Sequence, residues 1–217
     1  MKTRNQEPKA TPEKKAAPLL ILISAPSGAG KTTLCEMLLA AQPHMTRAIT
    51  CTTREPRPAE KDGVDYHFFT AAEFLKRLQA GNFIENATVY GNSYGILKSE
   101  LLGKLREGKD VLLNVDVQGA ATIREQAETE PELGRALVTI FLTPPSVAVL
   151  EQRLKKRGAD AEAVIQKRLA VARQEIAQWK NFDYLLVSGN KHEDLRRALA
   201  IVESEKMRSA RSASPEI

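Results

Sequence analysis

"ISAPSGAGKTT", residues 23–33, follows the apolar run "LLIL" at 19–22 and leads into "TTLCEMLLAA". The run reads as a buried strand and the later segment as a helix, so the small-residue stretch is a strand-to-helix turn. Backbone N–H groups of such a loop point inward, and the helix N-terminus adds the positive end of its dipole. Gly28 and Gly30 permit backbone angles and a close approach that a side chain would block. Lys31 brings a cation to terminal phosphates, and the Thr32 hydroxyl suits a Mg²⁺ ligand. Ala25, Pro26, Ser27, Gly28, Ala29, Gly30, Lys31, Thr32 and Thr33 therefore form a candidate phosphate cradle. The literal pattern has glycine where Ala25 stands, a mild departure at the last position of a strand. A plain Gly/Ser turn into a helix is the competing reading. Motors, translocators, switches and kinases all use such a cradle, so the acceptor must come from the rest of the chain.

The strand–helix rhythm continues. "DVLLNVDV" reads as a second buried strand with a helix through "QGAATIREQA". "ALVTIFL" is a third strand, ended by Pro144 and Pro145, and "DYLLVS" a fourth, followed by the helix "HEDLRRALAIVESE". Runs apolar on both faces suit a parallel sheet covered by helices, which gives an α/β fold. Two stretches interrupt it. Residues 50–97 hold a helix, "AAEFLKRLQAG", with the capping-box pair Thr70 and Glu73, between flanks that alternate as a half-exposed sheet does. Residues 147–175 read as two helices joined at "RGAD" and dense in Lys and Arg. Both are expected to be lobes inserted into the core.

Composition bounds the class. The chain has 217 residues, 42% of them hydrophobic and 27% charged, which is ordinary for a globular domain with its own core. No apolar run reaches membrane-span length, and "LLILI" is too short for a signal-peptide core, which points to a cytoplasmic protein with no membrane partner. Cys35 and Cys51 are too few for a disulfide scaffold, and His44, His67 and His192 are too scattered for a metal centre. Residues 1–17 contribute +3 of the net +5 and read as a disordered basic leader without aromatic platforms for nucleic acid. "MRSARSASPEI", 207–217, reads as a disordered tail.

The segment "TCTTREPRPAEKDGVDYHFF" sets Arg54 and Arg57 around Pro56, which stiffens the loop. Two guanidiniums in one rigid loop suit a phosphate dianion, although alone they would be a solvated basic loop. Tyr66, Tyr94 in "GNSYG" and Glu85 at the end of "FIE" complete a set that could surround a phosphate and face a base. With "SAPSGAGKTT", "TTREPRPAEKDGVDYHF", "FIENATVYGNSYG", "VDVQGA", "PPSVAVLEQRLKKRG" and "IQKRLAVARQE" in this order, the chain resembles the guanylate kinase family over roughly residues 19–200.

The resemblance implies a P-loop NTPase-like parallel-sheet core (18–49, 98–146 and 176–206), a small mixed α+β nucleotide-monophosphate lobe (50–97) and a helical lid (147–175). It implies ATP and GMP as substrates, Mg²⁺ carried with ATP, and a role in purine nucleotide metabolism, with dGMP a further acceptor. The acceptor phosphate would be held by Arg54, Arg57, Tyr66 and Tyr94, and the guanine read by Glu85 with help from Thr50. Chemistry supports Glu85 independently: guanine presents N1–H and its 2-amino group side by side, which a carboxylate accepts together, whereas adenine offers neither donor there. Asp116, ending a buried strand, would lie near Mg²⁺ and the acceptor, or else cap a helix. Arg153, Arg157 and Arg168 would sit over the ATP phosphates and offset transition-state charge.

Four positions depart from the family. Ile96 replaces a hydroxyl near the base, Asn114 stands where many members have Asp, Cys51 stands where Ser is common, and Ser188 falls near the adenine-contacting Asn. A non-catalytic scaffold domain is the reading from another class. Such domains tend to lose residues like Lys31, Thr32, Arg157 and Arg168, all present here. A kinase for a phosphorylated sugar is a third reading, which needs no base reader such as Glu85. Monomer and homodimer stay open.

Overall fold

Every residue of strand β1, Leu20–Ser24, is buried, because the strand lies in the middle of a sheet with helices on both faces. The computed structural model describes residues 16–89, 91–156 and 161–212. After β1 come α1 (Lys31–Ala41), β2 (Met45–Arg47), β3 (Cys51–Thr52), β4 (His67–Phe68), α2 (Ala71–Gln79), β5 (Phe83–Val89), β6 (Asn92–Leu97) and α3 (Lys98–Arg106). Then follow β7 (Asp110–Asn114), α4 (Val117–Thr129), α5 (Pro131–Ala136), β8 (Leu137–Thr143), α6 (Val147–Lys156), α7 (Glu162–Ile176), β9 (Tyr184–Val187) and α8 (Lys191–Lys206).

The core sheet is parallel throughout, in the order β2–β7–β1–β8–β9, with Leu20 opposite both Val111 and Leu137. Alternation along β1 divides the core. Ile21 and Ile23 pack with Leu34 and Leu38 of α1 and Ala198 and Val202 of α8. Leu20 and Leu22 face Leu101 of α3, Ile123 of α4 and Leu133 of α5. Each such side chain contributes about 1.5–3 kcal/mol by leaving water. Four core strands are legible in the sequence. The fifth, β2, is three residues long and includes the polar Thr46 and Arg47; its pairing with β7 defines it. β1 ends at Ser24, one residue earlier than the sequence reading, and buried Ala25 follows it.

The inserted lobe is a mixed sheet, β4–β3–β6–β5, in which β5 and β6 form an antiparallel hairpin. The expected capping box closes α2: Glu73 N–H donates to Thr70 Oγ1 (3.2 Å), and Thr70 N–H to Glu73 Oε2 (3.0 Å). Phe74 stacks on Phe83 at 4.4 Å over fully buried Cys51, whose thiol burial pushes up to about 12. Cys51 is a packing residue. The helical pair is held by Leu150, Leu154, Ile165, Leu169 and Ala172.

Residues 207–212, which the sequence assigns to a disordered tail, form turns fixed to the core. Buried Glu205 pairs with Arg211 and Arg208 and accepts the Tyr184 hydroxyl proton. Arg211 also donates to the carbonyls of Arg135 (2.9 Å) and Leu137 (3.0 Å), and its own carbonyl accepts from Ala17 N–H. Residues 213–217 and leader residues 1–15 lie outside the described residues. Removing Arg211 strips a buried carboxylate of its main counter-charge, at about 3 kcal/mol, the low end for a buried pair because Arg208 remains. Arg211→Ala is therefore expected to melt about 5–10 °C lower in calorimetry, with an unchanged melting temperature contradicting the clamp.

Candidate active site

Four segments leave the C-terminal ends of parallel strands on one edge: residues 25–30 after β1, Asp116 after β7, the helical pair after β8 and Ser188 after β9. The chain departs to opposite sides at β1, between β7 and β8, and open α/β sheets bind ligands in the crevice such a switch creates. Gly28 and Gly30 take φ of 94° and 103°, left-handed values that a side chain disfavours, and Gly30 caps α1. A Cβ on Gly28 would also lie 2.9 Å from Leu154 Cδ2, so α6 closes directly over the loop.

The loop lines a cavity of about 360 Å³ with Lys31, Thr32, Asp116 and Glu175. Lys31 Nζ donates to the carbonyl of Val115 at 2.6 Å. Burial lowers its pKa, while Cys35, Asp116 and Glu175 act the other way. Asp116 is a helix cap that also faces the cradle. Its Oδ1 caps α4 by accepting from Gly119 N–H (2.8 Å), and its carboxylate lines the cradle.

A second cavity, about 330 Å³, lies against Ala29, Thr33, Met37, Ser188 and Asp194. Arg153 belongs here. Its guanidinium donates to Ala29 O (3.2 Å) and Ser188 Oγ (3.3 Å), which ties it to the loop itself, and it lines this cavity together with the loop residues Gly28, Gly30 and Thr33. Ser188 in turn donates to buried Asp194 at 2.8 Å.

A third cavity, about 310 Å³, is lined by Thr32, Thr50, Glu60, Tyr66, Ile96 and Asn114 among others. Arg54 reaches the Tyr66 ring (5.5 Å to its centroid) and bonds to Tyr94, while the two tyrosine rings meet edge-on at 6.3 Å. Three of the four residues expected around one phosphate thus lie together. Arg57 is solvent-exposed, and its backbone N–H donates to Glu60. Glu60 also takes two hydrogen bonds from Arg54, at 2.9 and 3.0 Å. Buried Ile96 presents an apolar wall in this cavity.

Glu85 lies beside α4. A Cβ on Gly119 would fall 3.2 Å from its Cγ and 3.5 Å from Asp116 Oδ1, so this glycine lets two carboxylates approach. Burial, aided by Asp116, pushes the Glu85 carboxyl up to about 7. Arg168 is half-buried on α7, and Arg157 lies outside the described residues. Sequence reasoning missed Glu60, Gly119, Asp194 and Glu175. Glu60, Gly119 and Glu175 sit inside quoted motifs without a chemistry of their own there, and Asp194 enters only through packing of α8.

Thr32 is common to the first and third cavities, and Gly28, Gly30 and Thr33 to the first and second. An anion cradle therefore lies between two pockets, an arrangement for passing a phosphoryl group from one ligand to another. The guanylate kinase family model matches residues 17–205. Guanylate kinase of Idiomarina loihiensis is 44% identical over 186 residues, 85% of this chain and 83% of its own length. That of Maricaulis maris is 38% identical over 193 residues, covering 89% and 86%. The crystal structure of guanylate kinase from Anaplasma phagocytophilum matches with a TM-score of 0.66 at 30% identity, covering 91% of this chain and 90% of that one. On the motifs, the cradle geometry and these matches together, the chain belongs to the guanylate kinase family.

Proposed function

We propose that this chain transfers the γ-phosphoryl group of ATP to GMP, and likewise to dGMP, releasing ADP and GDP in purine nucleotide metabolism. The observation that carries the reading is the shared wall: one loop bounds a pocket on each side, and Thr32 touches the acceptor side. In this reading the ATP nucleoside occupies the cavity of Met37 and Ser188, and its phosphates lie on residues 25–33. GMP lies in the lobe, its phosphate on Arg54, Arg57, Tyr66 and Tyr94 and its base on Glu85 and Thr50. A phosphate oxygen of GMP attacks the γ-phosphorus in line, and no covalent protein intermediate is needed. Lys31, Arg157 and Arg168 neutralise charge on the transferred group, while Arg153 holds the lid helix against the loop. Closure of the helical pair excludes water and so limits hydrolysis.

The residues present fit Mg²⁺ arriving with ATP. Thr32 offers an exposed hydroxyl and Asp116 a carboxylate with one oxygen beyond its capping bond, and among the described residues no cluster of three acidic, His or Cys side chains forms a separate cage. Mg²⁺ characteristically takes few protein ligands and completes its shell with phosphates and water. It would supply charge neutralisation on the β- and γ-oxygens. No described helix is long and apolar enough to cross a membrane, and water-soluble substrates agree with a cytoplasmic setting.

A coupled ADP-release assay tests the assignment. GMP and dGMP should turn over, AMP, CMP and UMP poorly, and Lys31→Ala should lose on the order of 10²–10³-fold in kcat. Full turnover by Lys31→Ala would remove the cradle from the mechanism. Glu85 adds a pH signature. Its carboxyl, raised to about 7, is mostly protonated at pH 6 and mostly ionised at pH 8, and only the ionised form accepts both guanine donors. The ratio of kcat/KM for GMP over AMP should therefore rise about tenfold between pH 6 and 8. Ionisation of the nucleotide phosphate cancels in that ratio, and Glu85→Gln should flatten it. A flat wild-type ratio would show that Glu85 does not read the base.

A further inference from the structure

Glu175 is left without a task by this mechanism, although it lines the cradle cavity together with Ser27, Gly28, Lys31, Thr32 and Asp116. It sits in the last turn of α7 and reaches back to the loop. Its carboxylate accepts the backbone N–H of Ser27 and feels the attraction of Lys31 and the repulsion of Asp116. Its Oε2 is buried without a hydrogen-bond partner. Burial raises the pKa of the group, the expected response of a carboxylate held out of water.

A carboxyl group thus already lies where the loop offers an amide proton and an ammonium group. A triphosphate arriving on residues 25–33 brings up to four negative charges to the same donors, and two anions cannot share them without repulsion. We propose that Glu175 is a resident anion of the donor site: its carboxylate occupies the loop in the absence of nucleotide, and the phosphates of ATP displace it. The inference rests on residues 25–33 being the donor-phosphate site. It explains how the loop keeps its shape when empty, since the Ser27 amide and Lys31 retain a partner. It also couples donor binding to the lid. Arg168 lies seven residues before Glu175, two turns away on the same face of α7, so release of Glu175 frees the helix that carries an arginine assigned to the phosphates. Glu175 therefore weakens donor affinity and links it to lid position.

Binding of ADP and of adenosine to the full chain, measured by calorimetry at pH 7.5, tests this. Glu175→Gln keeps an acceptor for Ser27 but removes the charge, and Glu175→Ala removes both. Both variants should bind ADP about tenfold more tightly than wild type, with adenosine affinity unchanged. A brace that merely supports the loop predicts unchanged or weaker ADP binding, and that result overturns the inference. If neither variant shows a cooperative melt, the wild-type chain decides: the side-chain ¹³C carboxylate resonance of Glu175 should shift on saturation with ADP, and a stationary resonance overturns displacement. A Lys31→Ala arm separates the two layers. If it leaves ADP binding intact, the donor-site reading itself fails. If it weakens ADP binding while the Glu175 variants do not strengthen it, only the present inference fails.

Discussion

Parallel pairing of β1 with β7 on one side and β8 on the other is the constraint from which the site follows. A strand in that position is buried on both faces, so the chain emerging from it has one exit, at the C-terminal edge of the sheet. There the loop turns into α1, whose first backbone N–H groups have no acceptor within the helix. β7 delivers Asp116 to the same edge, β8 the lid helices and β9 the Ser188–Asp194 pair. The tight passage under α6 leaves no room for a Cβ at Gly28.

Concentrating donors at one edge creates an electrostatic problem before any nucleotide arrives, and the chain meets it with its own carboxylates. Glu60 covers Arg54 beside the lobe cavity, and Glu175 covers the Ser27 amide near Lys31 in the loop cavity. Lys31 further rests on the Val115 carbonyl. Cations left bare in a partly buried cleft would repel one another and resist burial. Between the two sides, Gly119 brings Glu85 and Asp116 together, and their proximity adds to the burial that lifts Glu85 toward neutrality. The same closeness that raises Glu85 joins it to the carboxylate that lines the Lys31 cavity.

Legibility in the sequence followed locality. The four long core strands, the α2 capping box and the glycine loop are each written in contiguous residues, and each appears where its pattern sets it. β2 was illegible because three residues carry no period, and its strand character arises from β7 alone. The tail from 207 has a low-complexity composition, yet Arg211 finds Glu205, Arg135 O and Leu137 O, which are distant in the chain or hidden by folding. Spacing put Arg153 on one helix face, and only the packing of α6 on the loop shows its partners, Ala29 O and Ser188 Oγ.

By itself the sequence determined an α/β core, a glycine-rich strand-to-helix loop and the residue types from which the phosphate and guanine contacts are proposed. These rest on short-range periodicity, on glycine's backbone freedom and on motifs whose members lie close together. Tertiary structure decided which charges face which. It put Glu60 on Arg54, Glu175 on the Ser27 amide, Glu85 beside Asp116, and the cradle between two cavities. Except for Glu60 and Arg54, six residues apart in one loop, those pairings join residues far apart in the chain. The energies that set them, desolvation and Coulomb interaction over a few ångströms, exist only once packing fixes the distances.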